Sequence, residues 1–168
     1  EVELLFLLPG VDANRYPYQE EAEYIQSLLE NIEGTHIKVS IQQMDWGPCK
    51  EEMEAGSYNL CLKIQGLPSA NPFSLFKGFM HTEGGTNISY GLGYHNDHVD
   101  ELIDEAAACL DAGRLTEIYT ELQEISAVDF PNIPVLYSQE VVASSSDITG
   151  YQATVYGLTG FTQVCWAE

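Results

Sequence analysis

The 168-residue sequence has few basic residues. Six Lys and Arg stand against 26 Asp and Glu, which gives a formal net charge of −20 at pH 7. So much negative charge opposes binding to the phosphates of nucleic acid and to anionic membrane surfaces. We therefore expect no nucleic-acid partner. The acidic residues are interpreted as a solvated exterior, and an acidic trap for cations is the alternative.

Long apolar runs are also missing. No stretch approaches the ~20 residues that a membrane-spanning helix needs. The first ten residues, EVELLFLLPG, have neither a basic segment nor a small-residue cleavage site, so they are not a signal peptide. We expect them to form a strand that begins within a longer protein. Apolar residues still make up 45% of the chain, which argues against disorder.

The sequence lacks the common catalytic and metal-binding motifs. There is no G-x-S-x-G elbow, no P-loop, no G-x-G-x-x-G and no H-E-x-x-H, so we expect a protein that is not an enzyme. No C-x-x-C pair is present either. The four cysteines are predicted to be buried free thiols, with one disulfide or a metal site left open as alternatives; they are Cys49, Cys61, Cys109 and Cys165.

The first half of the chain alternates between strands and helices. Short β-prone segments are predicted at 2–8, 37–44 and 58–65, and amphipathic helices at 18–32 and 47–55. Such β-α-β-α-β alternation with short joins is typical of a mainly parallel sheet that is covered by helices.

Residues 93–137 are predicted to form two helices and a strand. Asn96 is a good N-cap for the first helix and Asp111 for the second. Pro131 follows the second helix, and a strand is expected at 135–137. One face of the first helix carries Val99, Leu102, Ile103, Ala106 and Leu110. The same period recurs in the second helix at Leu115, Ile118, Leu122 and Ile125.

This arrangement resembles the C-terminal lobe of the extracellular solute-binding proteins of the dipeptide, oligopeptide and nickel class (family 5), which are receptors of ABC importers. The family pattern Gly-Tyr-x-Asn-x-x-Val-Asp-x-Leu-Ile, its Asp/Arg break and its Asp-x-Pro-x-Ile-Pro ending are matched here by Gly93, Tyr94, Asn96, Val99, Asp100, Leu102, Ile103, Asp111, Arg114, Asp129, Pro131, Ile133 and Pro134. Earlier matches are Ala22, Glu23, Ile25, Gln26, Gln42, Gln43, Met44 and Trp46.

The resemblance implies a fold and a function. The fold would be a periplasmic-binding-protein-like α/β lobe over residues 1–147, with a mainly parallel sheet and helices on both faces. Residues 148–168 would be a return segment that packs on an N-terminal lobe missing from this chain. The function would be capture of a nickel complex or short peptide between two lobes, and delivery to a membrane permease. The location would be periplasmic or extracellular, with a lipid anchor as an option. An effector-sensing domain of a transcription regulator is the alternative.

Ligands of open α/β sheets bind beyond the carboxyl ends of the strands. Trp46 follows the second strand and is predicted to form an apolar wall of a ligand pocket; packing within the lobe is the alternative. Peptide-binding relatives commonly carry an aspartate in the loop after the third strand, where it pairs with the ammonium group of the peptide. Residues 66–72 contain no carboxylate, and Asn71 stands where an acidic residue often precedes the proline. This departure tilts the prediction slightly towards a nickel complex.

Residues 79–87 resemble the Phe-His-Ser-x-Gly-x-x-Asn stretch of the nickel-binding branch. His81 is therefore the candidate for metal contact, because a neutral imidazole is a good nickel ligand. Asn71, Asn87 and Tyr94 complete the predicted ligand-binding residues. A loop-ordering role for His81 is the alternative, and His95 and His98 are expected to be exposed.

Overall fold

The computed structural model describes residues 2–10, 16–64, 66, 71–136, 143–151 and 163–167. The described part contains five strands and six helices. In chain order they are β1 (Val2–Pro9), α1 (Tyr18–Glu30), β2 (Ile37–Met44), α2 (Trp46–Glu54), β3 (Leu60–Cys61), α3 (Pro72–Met80), α4 (Gly85–Ser89), α5 (Asp97–Ala108), α6 (Ala112–Asp129), β4 (Ile148–Thr149) and β5 (Cys165–Trp166).

The first three strands form a parallel sheet in the order β2-β1-β3. Val2 pairs with Ile37 and Pro9 with Met44, so β1 and β2 run side by side over their whole length. On the other side of β1, Leu7 pairs with Cys61. The predicted parallel sheet is therefore confirmed.

Helices cover both faces of this sheet, as the alternating side chains of β1 show. Phe6 and Leu8 pack against Tyr18 and Ala22 of α1 on one face. Leu7 points to the other face, where it packs against Cys49 and Met53 of α2. A strand that is buried on both faces is typical of the centre of a parallel sheet. The predicted fold class is confirmed, and the carboxyl ends of the strands lie at one edge.

A helical layer follows the sheet and has its own core. Asn96 caps α5, because its Oδ1 accepts from the backbone N–H of His98 at 3.1 Å. Asp111 caps α6 by accepting from the N–H of Arg114 at 2.7 Å. Both caps agree with the sequence prediction. The buried residues that join α3, α5 and α6 are Phe76, Phe79, Met80, Val99, Leu102, Ile103, Ala106, Ile118 and Leu122.

The third strand is shorter than the predicted segment 58–65. Its last ladder bond runs from the N–H of Leu62 to the carbonyl of Leu7, at 3.2 Å. The next bond to β3 would need an N–H from Pro9, which proline lacks. The pairing therefore stops, and the chain leaves the sheet as an irregular segment. Gln65 lies outside the described residues.

Two further predictions were wrong. Leu110 is fully exposed, because α5 ends at Ala108 and the chain is extended at Cys109; the apolar face of the helix has ended before Leu110. Val135 and Leu136 form no strand and are more than half exposed, since no described strand pairs with them. Tyr137, the end of that predicted strand, lies outside the described residues.

The described part of the tail forms a small antiparallel pair. Ile148 of β4 lies opposite Trp166 of β5, and Thr149 opposite Cys165. The division of the chain at residue 147, with a return segment after it, stays a prediction. Among the residues that the structure describes, no helix combines the length and apolar character needed to cross a membrane.

Candidate functional site

Trp46 lies at the carboxyl edge of the sheet, because β2 ends at Met44 and α2 begins at Trp46. Lys63 reaches the same place from the segment after β3. Its Nζ lies 4.6 Å from the centre of the Trp46 ring and 4.0 Å from that of Tyr90, and it is hydrogen-bonded to the Tyr90 hydroxyl. An ammonium between two aromatic faces is held by cation–π attraction. Trp46 is half-buried, and its role as a pocket wall stays a prediction.

The charge of Lys63 has no carboxylate partner in the described part of the chain. Three other basic side chains are paired with acids: Lys50 with Glu54 at 3.1 Å, Lys77 with Asp104 at 3.6 Å, and Arg114 with Glu105 at 2.7 Å. The chain has 26 acidic residues, so an acidic partner for a half-buried lysine would be easy to supply. Here its neighbours are two aromatic rings and the Tyr90 hydroxyl.

Sequence reasoning missed Lys63. A signal was present: Lys63 stands in the run Leu60–Ile64, whose other members are apolar, in a chain with only six basic residues. Placing a charge within an apolar strand costs free energy unless the charge is compensated. Lys63, two residues after β3, was therefore a candidate for a ligand-binding residue.

Asn71 lies at the start of α3, on the join that leaves β3. Its side chain accepts a hydrogen bond from the N–H of Phe73 at 2.9 Å, and Pro72 occupies the first helical position. This is the usual chemistry of a helix N-terminus. Asn71 is exposed, so its predicted contact with a ligand stays a prediction. The loop 67–70 lies outside the described residues.

His81, Asn87 and Tyr94 lie together, and Asn87 is the centre of the group. It is 3% exposed. Its Nδ2 donates to the carbonyls of His81 and Tyr94, at 3.0 and 2.7 Å, and its Oδ1 accepts from the N–H of Tyr94 at 3.1 Å. Both amide hydrogens are therefore used within the chain. The arrangement fixes two loops against each other, and a ligand contact by Asn87 stays a prediction.

The imidazole of His81 is buried and 6% exposed. Its Nδ1 accepts from the N–H of Glu83 at 3.0 Å, which places the proton of the neutral ring on Nε2. Nε2 lies 3.4 Å from Oδ1 of Asp104 and has no hydrogen-bond partner among the described residues. The ring thus faces α5. Metal contact by His81 stays a prediction, and the described residues hold no group of three His, Cys, Asp or Glu side chains that could bind a metal ion.

Two acids connect this loop to the helical layer. Asp100 of α5 accepts from the N–H of Thr82 at 2.8 Å. Burial opposes its ionisation, but the hydrogen bonds from Thr82 outweigh it, so the pKa of Asp100 is lowered. Tyr94 donates its hydroxyl to Asp129 at 2.6 Å. Burial and this bond raise the pKa of Tyr94 to about 12.

Two shallow cavities adjoin these residues, with volumes of about 410 and 470 Å³. The first reaches Ala55 and Gly56 at the end of α2, and the second reaches Tyr58 and Asn59 just before β3. Both therefore lie near the amino end of β3, across the sheet from Trp46. The structure thus places Asn87 and Tyr94 at these cavities and Trp46 at the carboxyl edge of the sheet. The His81 carbonyl is bonded to Asn87.

His95 and His98 are exposed, as predicted. His95 contacts Thr82, with 2.7 Å between Nδ1 and Oγ1, and Nε2 of His98 lies 2.7 Å from Oε1 of Glu121. These contacts are with separate partners, so the two rings do not share a site.

No family model matches the sequence. Among curated proteins, a di/tripeptide-binding protein of Pseudomonas aeruginosa is 22% identical over 151 residues, which cover 88% of this chain and 28% of that protein. The nickel-binding protein NikA of Staphylococcus aureus is 29% identical over 65 residues, which cover 39% of this chain and 13% of that protein. The chain thus spans less than a third of the length of these relatives.

The fold also matches solved structures. The periplasmic binding protein DppA of Helicobacter pylori, in complex with the peptide STSA, superposes with a TM-score of 0.77 at 23% identity; the match covers 99% of this chain and 31% of that one. This likeness shows the fold. Together with the curated relatives, it confirms the resemblance that the sequence predicted: dipeptide-, oligopeptide- and nickel-binding proteins are similar to most of this chain.

Proposed function

We propose that this chain, whose relatives are the dipeptide-, oligopeptide- and nickel-binding proteins of family 5, forms one lobe of the solute-binding component of an ABC importer. The lobe binds a small ligand and performs no chemistry on it. A second lobe supplies the opposite wall of the cleft, and a hinge motion closes the two on the ligand.

The observation that carries the proposal is the position of Lys63 between Trp46 and Tyr90. It places a cation and an apolar wall where parallel sheets bind their ligands, beyond the carboxyl ends of β2 and β3. Apolar surface with a few oriented polar groups is the usual composition of a small-molecule site.

We infer that the cargo is a short peptide, held at this lobe through a carboxylate. Lys63 has a free charge for an anionic group, whereas residues 66–72 offer no carboxylate to an ammonium group. A peptide amine would then be compensated by the second lobe. The longer curated match, to the di/tripeptide-binding protein, supports the same choice.

A nickel complex is the second candidate, and the short match to the nickel-binding protein NikA favours it. In this chain His81 would have to turn its Nε2 away from Asp104 to reach a bound complex. The burial of the ring makes that reorientation costly, because the side chain would have to leave its packed position.

We propose that the second lobe packs on an exposed apolar surface of this chain. Large apolar side chains are exposed in succession at the end of α6 and after it: Val128, Phe130, Ile133, Val135 and Leu136. Grouped apolar exposure of this kind marks interaction surfaces. A periplasmic or extracellular location, a lipid anchor and docking of the closed receptor on a membrane permease complete the proposal.

Calorimetric titration tests the cargo. The chain is titrated with di- and tripeptides and, separately, with Ni²⁺ in the presence and absence of free histidine. We expect peptides to bind with a Kd weaker than micromolar, because one lobe provides only part of the contacts. Lys63→Gln should abolish the heat of peptide binding. Lys50 is an exposed lysine on α2, and Lys50→Gln should leave that heat unchanged.

Two outcomes would overturn these inferences. Binding of nickel that is lost in His81→Ala and kept in Lys63→Gln would assign the chain to nickel transport. Peptide binding that is equally strong in Lys63→Gln would remove the carboxylate contact from Lys63.

A further inference from the structure

Three sulfur atoms meet between α2 and β3. Sγ of Cys49 lies 3.9 Å from Sδ of Met53, and Sγ of Cys61 lies at the same distance from Sδ of Met53. Cys49 and Met53 stand four residues apart, so they share one face of α2. β3 brings Cys61 to that face. We call Cys49, Met53 and Cys61 the sulfur cluster.

Sulfur is concentrated in this part of the molecule. The chain has four cysteines and three methionines. Cys49, Cys61, Met53 and Met44 all pack in the core on the α2 face of the sheet, so four of the seven sulfur-bearing side chains lie in one small cluster. Packing alone requires only apolar volume there, and Leu or Val would supply it.

The spacing of the sulfurs fits a metal ion at their centre. Three sulfurs that each lie ~2.3 Å from an ion, a usual metal–thiolate distance, stand about 4.0 Å apart in a planar three-coordinate site. Sγ of Cys49 and Sγ of Cys61 each lie 3.9 Å from Sδ of Met53, so the two separations that involve Met53 match this spacing. A set of two thiolates and one thioether selects soft ions, Cu(I) above all, because thioether sulfur binds poorly to harder cations.

We propose that Cys49, Met53 and Cys61 form a binding site for a soft monovalent metal ion, and that Cu(I) is the ion it fits. On binding, each thiol releases its proton to solvent and forms one bond to the metal, while Met53 donates a sulfur lone pair. Two thiolates and one Cu(I) leave one negative charge at the site.

Burial opposes the ionisation of both thiols, and the positive charge of Lys63 favours it. Metal binding must therefore displace both thiol protons. Cys49 and Met53 are buried, and Cys61 is half-buried, so the ion enters on the Cys61 side.

The first experiment uses a Cys109→Ser/Cys165→Ser background, which removes the two thiols outside the sulfur cluster. The reduced, oxygen-free protein is titrated with Cu(I) in competition with bicinchoninate, and separately with Zn²⁺. We expect one Cu(I) per chain. Adding Met53→Leu, which keeps the apolar volume, should weaken the affinity by at least about 10-fold, and adding Cys61→Ser should weaken it by about 100-fold or more.

A matched variant separates loss of the site from loss of the fold. Met80→Leu makes the same substitution in the other core cluster and should leave Cu(I) binding unchanged, with circular dichroism confirming that every variant is folded. Absence of Cu(I) binding in the double-serine background, unchanged affinity in Met53→Leu, or tighter binding of Zn²⁺ than of Cu(I) would each overturn the proposal.

X-ray absorption of the loaded background protein gives a second test that needs no change in the sulfur cluster. Three sulfur scatterers at about 2.3 Å are expected. Two sulfurs alone, or any nitrogen or oxygen neighbour in the place of Met53, would refute the three-sulfur site. Neither experiment depends on peptide or nickel transport, so this proposal and the proposed function can fail separately.

Discussion

The side-chain amide of Asn87 binds both backbone polar groups of Tyr94. It donates to the carbonyl at 2.7 Å and accepts from the N–H at 3.1 Å, and its second amide hydrogen goes to His81. One buried side chain therefore forms hydrogen bonds with three backbone groups in the segment between α3 and α5. Such groups are costly to leave without partners.

Asn87→Ala should lower the free energy of unfolding by about 3 kcal/mol, because it removes three hydrogen bonds and leaves both backbone groups of Tyr94 without the Asn87 amide, whereas the His81 carbonyl keeps the N–H of Gly84. Urea denaturation measures the loss. Asn59→Ala is the control: its side chain accepts one bond, from the N–H of Leu5 at 2.8 Å, and about 1 kcal/mol is expected. Equal losses in the two variants would contradict the role of Asn87.

Because of Asp100, the free energy of unfolding should depend on pH in the acid range. Although burial opposes its ionisation, hydrogen bonds from Thr82 lower its pKa, below the ordinary value of about 3.9. A lowered pKa in the folded state contributes stability above the ordinary value, and this contribution is lost as the pH falls through the folded-state pKa.

Asp100→Asn should therefore be less stable than the wild type at pH 7, and the difference should shrink near pH 3. Urea denaturation at the two pH values measures it. Glu101→Gln, an exposed acid on the same helix, should show neither effect. A difference that stays constant with pH would show that the charge of Asp100 contributes nothing.

Tyr94 should act at alkaline pH. Its pKa is raised to about 12 by burial and by the bond to Asp129, against an ordinary value of about 10. The neutral phenol stabilises the fold fully below pH 10, and this stabilisation is lost as the pH rises towards 12.

Absorbance titration of the phenols tests this. Subtracting the curve of Tyr94→Phe from that of the wild type should leave one transition near pH 12, and Asp129→Asn should move it to lower pH. A wild-type difference curve centred near pH 10 would show that the pKa of Tyr94 is not raised, by burial or by the bond to Asp129.

The position directly after α6 should tolerate glycine better than phenylalanine. Phe130 has φ = 49° and ψ = 48°, which is left-handed backbone, and a side chain there costs roughly 1 kcal/mol relative to glycine. Phe130→Gly should raise the thermal midpoint of the isolated chain. Val128→Gly, within the helix, should lower it by a comparable free energy. A fall in both variants would show that Phe130 contributes packing that outweighs its strain.

The sequence predicted the sheet and helices well, because their signals are local. Alternating residues marked β2, and the capping side chains of Asn96 and Asp111 marked the starts of α5 and α6. The end of β3 could not be predicted in the same way. It depends on the missing N–H of Pro9, which lies on a neighbouring strand more than fifty residues away.

The site was harder to predict for a similar reason. Trp46 could be placed at the carboxyl edge from its position after β2, but motif matching grouped it with Asn87 and Tyr94, which line cavities near the amino end of β3. Lys63 and the sulfur cluster were missed because their contacts are with residues on other elements. The contact between Cys61 and Met53 exists only where α2 packs against β3, and the sequence does not show which residues meet there.

We propose that the ligand binds at the carboxyl edge of the sheet, against Trp46 and Lys63. NMR chemical shifts of the backbone amides and the Trp46 indole, followed on titration with a dipeptide, locate the ligand. We expect the largest shifts at the Trp46 indole and the amides of residues 44–46 and 62–64. Shifts confined to residues 81–95, with the Trp46 indole unmoved, would contradict it and place the ligand in the cavities near the amino end of β3.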